Sequence, residues 1–214
     1  MRIKISLILV ALVTYWGYWL VHDERKHTQA VAYNEQGNNL SELKRYDEAI
    51  ENYQQAILIR ENFAEPYNNL ANALRQAGQL KDSIPYYKEA IRFKKNYADA
   101  YINLGIARSE QGNFKEAIEK YQVALSLNPN FFRVHNSLAI LLSQQGDIAG
   151  AISHYHQAIN LYPDFAKAHN NLGSTLAGQG KFKDSIVHFE KAISIDSTYT
   201  DAQKNLELAR SLLK

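Results

Sequence analysis

Between Ala98 and Phe131 the apolar residues fall into two stripes of helical period with a turn between them. Tyr101, Leu104 and Gly105 stand at i, i+3 and i+4, with Arg108 following at i+7. Ala117, Ile118, Tyr121, Ala124 and Leu125 make the second stripe. Gln111-Gly112-Asn113 separates the two, and a glycine there stops a helix. Asn128-Pro129-Asn130 closes the second run, because proline cannot continue it. The pattern predicts a helix–turn–helix unit of 34 residues, and it recurs without a gap from Ala30, Ala64, Ala98, Phe132 and Ala166.

Reading down the aligned units shows how they are expected to pack. The eighth position is always small: Gly37, Ala71, Gly105, Ala139 and Gly173. The twenty-seventh is alanine throughout, at 56, 90, 124, 158 and 192. The twenty-fourth is a ring: Tyr53, Tyr87, Tyr121, Tyr155 and Phe189. Small residues let two helix backbones approach, and a ring fills the space beside them. One helix pair cannot bury its stripe alone, so neighbours are expected to share a core. After the fifth unit, 200–214 reads as one more helix, a cap, with Ala202, Leu206, Ala209 and Leu213 facing inward. Its Gln203, Lys204, Glu207 and Arg210 are expected to face solvent. Pro85 is expected near the first turn of its helix, where a missing N–H does least harm.

Small residues in both helices, an aromatic in each and a closing proline together resemble the tetratricopeptide repeat (TPR) family. The resemblance takes in 30–199, as repeats 30–63, 64–97, 98–131, 132–165 and 166–199. It implies an all-α fold, a right-handed superhelical α-solenoid of five helix–turn–helix repeats plus the cap. There are departures. Gln36 stands where leucine is usual, and Lys44 where the later repeats have glycine. The closing proline survives only as Pro129 and Pro163, and His135 and His169 replace the early aromatic.

The stretch before the repeats follows another pattern. Residues 1–4 carry Arg2 and Lys4, and 5–21 are 17 residues without a charge. At ~1.5 Å per residue they span about 25 Å, a little short of the ~30 Å hydrocarbon core, and Lys4 can snorkel to close most of the gap. Tyr15, Trp16, Tyr18 and Trp19 gather at the far end, as an interfacial belt would. The expectation is one N-terminal transmembrane helix acting as an uncleaved signal anchor. The rival, secretion after signal cleavage, lacks a small-x-small site after Val13. Residues 22–29 read as a juxtamembrane linker. The basic N-terminal flank places the N-terminus in the cytoplasm and the repeats on the periplasmic or lumenal side.

Charge and composition narrow the function. Without Arg2 and Lys4 the chain has 24 − 2 = 22 basic residues against 22 acidic ones, so nothing neutralises a phosphate backbone and no nucleic acid is expected. The absence of cysteine excludes disulfides, thiolate metal sites and a cysteine nucleophile. His154 and His156 stand two apart on a helix and point to different faces, so they cannot chelate one metal. His135 and His169 read as packing rings, and Glu116 and Glu119 beside Lys115 and Lys120 as a solvated face. No catalytic residue, cofactor or metal is expected, and the chain does not read as an enzyme.

Asparagine is the candidate chemistry. A second stripe on the first helices carries Asn34, Asn68, Asn136 and Asn170 at position five, and Asn69, Asn103 and Asn171 at position six. Asn38 and Asn72 follow at position nine, with Arg75 a turn beyond Asn72. Asparagine costs a helix interior ~0.6 kcal/mol relative to alanine, so its repeated use on one face points to a need for the amide. An amide donates and accepts together, which suits the backbone of an extended peptide. In TPR proteins this face lines the concave groove, and the asparagines resemble the ladder of O-GlcNAc transferase repeats. The amides can equally bridge adjacent repeats. Chaperone-tail binding through a carboxylate clamp is not implied, because the aligned positions hold Asn34, Asn38, Asn69, Asp99 and Asn103 rather than cations. The expected function is a membrane-tethered adaptor, scaffold or assembly factor binding a protein partner or extended peptide segment. The alternative is a substrate-targeting or accessory subunit for a separate enzyme.

Overall fold

The computed structural model describes residues 23–213, and among them it contains eleven helices and no strand. The expected transmembrane helix at 5–21 lies outside the described residues. Among the described residues no helix is long and apolar enough to cross a membrane. The chain divides into two compact units, Met1–Ala107 and Arg108–Lys214.

In the first unit, α1 is helical over 23–42 and is followed by α2 (Tyr46–Ile59), α3 (Ala64–Gln76), α4 (Leu80–Phe93) and α5 (Ala98–Glu110), whose last turn belongs to the second unit. From residue 23 the expected linker is helix, running unbroken into the first repeat. The sequence contains no glycine or proline between 23 and 36 to end it. Adjacent repeats share their cores. Tyr53 and Ala49 of repeat one are closed by Leu70, Ala73 and Leu74 of repeat two, and Ile84 and Tyr87 of repeat two by Leu104 and Ala107 of repeat three. This explains Gln36. Its counterpart Leu70 is buried against the preceding pair, whereas Gln36 is exposed on the first helix. Pro85 is the sixth residue of α4, deeper than the first turn, and sits on the solvent side of the helix.

The second unit holds α6 (Phe114–Leu127), α7 (Phe132–Gln144), α8 (Ile148–Leu161), α9 (Ala166–Gly178), α10 (Phe182–Ile195) and α11 (Thr200–Leu212). The same sharing recurs. Ala139, Ala151 and Tyr155 of repeat four are closed by Leu172 and Leu176 of repeat five. Phe189 is closed by Leu206 and Ala209 of α11, which is thus the expected cap. Leu213 does not join them. It lies just past the last turn of α11 and is 44% exposed. Arg108, the polar member of its stripe, is matched by Glu116 at 2.9 Å, so that carboxylate is not simply solvated.

The turn glycines Gly78, Gly112, Gly146 and Gly180 all have positive φ, between 75° and 86°. Lys44 takes the same place with φ 60°, so the departure at that position keeps the turn and changes only its residue.

Candidate functional site

The face of the first helices carries the asparagines, and their amides are committed in a repeating way. In the first unit, Asn69 Nδ2 donates to Asn34 Oδ1 at 3.0 Å, and Asn103 Nδ2 donates to Asn68 Oδ1 at 3.0 Å. In the second, Asn171 donates to Asn136 and Asn205 to Asn170, both at 3.0 Å. Each rung joins position six of one helix to position five of the first helix before it. The spacing follows from the period, since one repeat plus one residue separates donor from acceptor. The acceptors Asn34, Asn68, Asn136 and Asn170 are all buried, so these rungs satisfy amides that would otherwise be costly inside.

A second set of bonds ties the ring at position 24 to position nine. Tyr53 donates its hydroxyl to Asn38 Oδ1 at 2.9 Å, and Tyr87 to Asn72 Oδ1 at 2.7 Å. Asn38 Oδ1 also accepts from Asn69 at 3.1 Å. Burial pushes the Tyr53 phenol up to about 12, so it stays a donor at any physiological pH.

Of the sequence-derived candidates, Asn38, Asn69, Asn72, Arg75 and Asn103 come together around one cavity of about 510 Å³ in the first unit. Asn171 borders a separate cavity of about 320 Å³ in the second. Asn34, Asn68, Asn136 and Asn170 line neither; they are the buried ends of the rungs. Sequence reasoning did not include Asn205, which continues the 34-residue register into the cap and could have been found by aligning α11 from Thr200. It also missed Ser41, Glu42, Tyr53 and Gln76 in the first cavity. From the pattern alone Tyr53 is only a packing ring. Its hydroxyl was no sufficient signal, because repeats three and four keep the tyrosine, as Tyr121 and Tyr155, with Ile106 and Ile140 at position nine.

The histidines form two matched pairs. His135 Nε2 lies 3.0 Å from the Pro129 carbonyl and His169 Nε2 3.0 Å from that of Pro163, so each Nε2 carries the proton and donates. Their Nδ1 atoms are then acceptors, facing Nδ1 of His154 at 2.9 Å and of His188 at 3.2 Å. Burial lowers the pKa of His154, His169 and His188, and for His154 and His188 a facing histidine lowers it further. Among the described residues no group of three or more histidines and carboxylates is arranged to hold a metal ion.

Helix pairs of this length, sharing cores through a small residue and a ring, define a TPR protein. Tetratricopeptide repeat family models match 28–96, 62–130, 120–153 and 166–199, and a TPR repeat model matches 141–180. Together these take in 28–199, and the chain belongs to the tetratricopeptide repeat family. No curated protein matches it. Among solved structures, MamA is similar over 80% of this chain and 94% of its own, with TM-score 0.71 and 23% identity. YrrB, described as a TPR protein with an unusual peptide-binding site, is similar over 87% and 96%, with TM-score 0.71 and 22% identity. TTC0263, a thermophilic TPR protein from Thermus thermophilus, is similar over 85% and 99%, with TM-score 0.61 and 18% identity. At these identities the likeness is one of fold.

Proposed function

We propose that this chain is a membrane-tethered adaptor that holds a partner protein, or an extended segment of one, on the face of its first helices, as a scaffold or assembly factor for a membrane-associated complex. The observation that carries this reading is the 510 Å³ cavity walled by Asn38, Asn69, Asn72 and Asn103 with Arg75 at its edge. Asn69 spends both of its N–H groups on Asn34 and Asn38. The Asn103 rung uses one, and the Tyr–Asn bonds use only the amide oxygens of Asn38 and Asn72, so N–H groups of Asn38, Asn72 and Asn103 can serve a ligand. Amides held by rungs and by tyrosine hydroxyls have little rotamer freedom left to lose, which favours binding. YrrB, of the same fold, is described as having a peptide-binding site, which is in keeping with this use of the scaffold.

The tether rests on the uncharged run at 5–21 and its basic flank. On this reading the N-terminus is cytoplasmic and the repeats are periplasmic or lumenal. The mature protein should retain Met1-Arg2-Ile3 and resist alkaline carbonate extraction; a sequence beginning near residue 20, or release into the soluble fraction, would contradict the tether. Cross-linking followed by pull-down from membranes tests the role. A few stoichiometric subunits are expected, whereas many unrelated substrates would instead indicate a targeting subunit for a separate enzyme.

A further inference from the structure

The two cavities sit at the same register of their repeats and differ in chemistry. In repeats one and two, position nine is Asn38 or Asn72, and the amide oxygen holds the tyrosine hydroxyl. In the second unit the corresponding residue of repeat four is Ile140, which offers no acceptor. The Tyr155 ring and Thr175 border the same cavity instead. The result is a cavity of about 320 Å³ with Ile140 on one side and Tyr155, Ser174 and Thr175 around it. Among the described residues no carboxylate, ammonium or guanidinium lines it. Burial pushes the Tyr155 phenol up to about 12, so the ring stays neutral as well. A charged side chain placed there gains no counter-charge, whereas an aliphatic one covers Ile140 and gains by it. The hydroxyls of Ser143 and Ser174 and the amide of Asn171 border the same cavity and can bond the main chain on either side of the inserted residue.

We infer that the cavity beside Ile140 is a specificity pocket for an uncharged aliphatic side chain of an extended partner peptide. This rests on the reading that partners lie on the first-helix face. It adds a selection rule: a segment that pairs its backbone with amides and anchors through leucine, isoleucine, valine or methionine.

The test uses the full chain in detergent as bait for a random dodecamer library displayed on phage. Enriched peptides should share one aliphatic position, and replacing that residue by alanine should weaken binding roughly tenfold or more. Ile140→Asn, which installs the residue found at this register in repeats one and two, should erase the aliphatic preference. Ser174→Leu, which fills the pocket with the residue present at this register in α11, should weaken the same peptides without lowering the melting temperature. Peptides that are weakened by Asn72→Ala but indifferent to both Ile140→Asn and Ser174→Leu would overturn the pocket and leave the adaptor reading standing. A shared charged anchor would overturn it too. Failure to enrich peptides, or enrichment insensitive to all three variants, would overturn the pocket and the adaptor reading together.

Discussion

Lys44 holds a left-handed backbone, φ 60°, where the four other turns have glycine. An L-residue there costs roughly 1 kcal/mol, because its Cβ crowds the backbone. Lys44→Gly is therefore expected to stabilise the protein by ~0.5–1 kcal/mol, less than the full strain because glycine also frees the unfolded chain. Chemical denaturation would check it, and an unchanged or lower midpoint would contradict it. Gly173 presents the opposite constraint. A Cβ there would sit 2.7 Å from the Phe189 ring, which is itself almost fully buried. Gly173→Ala should cost ~1–3 kcal/mol by overpacking, even though repeats two and four carry alanine at that position, because their rings have settled around it. A midpoint within error of the parent would show that Phe189 can yield. Sequence alone could state that the eighth position is small. It could not state that Gly173 has no room for one more carbon, because that depends on where the ring comes to rest.

At the scale of the helix, the asparagine rungs are structural before they are anything else. Asn69→Ala with Asn103→Ala would leave Oδ1 of Asn34 and Asn68 buried without those donors. Each loss should cost ~1–3 kcal/mol, against ~0.6 kcal/mol returned by alanine's better helix propensity. The pair is thus expected to destabilise the first unit, with hydrogen exchange accelerated in α1, α3 and α5. Unaltered exchange there would deny the rungs any energetic role. The face and the residues of this ladder were readable in the sequence. Which amides are buried and which border a cavity was not, since positions five and six lie only one residue apart on the helix and differ in whether the preceding helix covers them.

The histidine pairs make a prediction confined to the second unit. His154, His169 and His188 have native pKa values below that of an unfolded histidine, ~6.5. Below that pH the unfolded chain binds more protons than the native one, so stability falls as pH drops through ~6.5 toward the lowered values and is unaffected by these groups above it. Asp147 and Asp184 oppose the shifts of His154 and His188 without reversing them. Between pH 7.5 and pH 5, α7 to α10 should lose exchange protection more than α2 to α4. Replacing His135 and His154 together by tyrosine, as Tyr67 and Tyr86 stand in repeat two, should reduce that difference, chiefly in α7 and α8, while the His169–His188 pair keeps the remainder. Equal loss in both units would contradict it. Spacing marked His135 and His169 as substitutes for a ring, correctly as to packing. Their partners lie 19 residues away on the next helix, and only the packing of the two helices brings those nitrogens together.

For the whole molecule, the repeat was the most readable feature, because its period, turns and shared core are all written in local residue types. Partner binding is less so, since a cavity is a property of several helices at once. The central claim is that a partner lies on the first-helix face, and site-specific photo-crosslinking in intact cells tests it most directly. One photoreactive residue replaces Gln76, which borders the first cavity and is exposed; another replaces Leu58, 78% exposed on α2. The account predicts a discrete adduct from position 76 that is lost with Asn72→Ala, and none of that mass from position 58. The same adduct from both positions, or an adduct from position 58 alone, would contradict it.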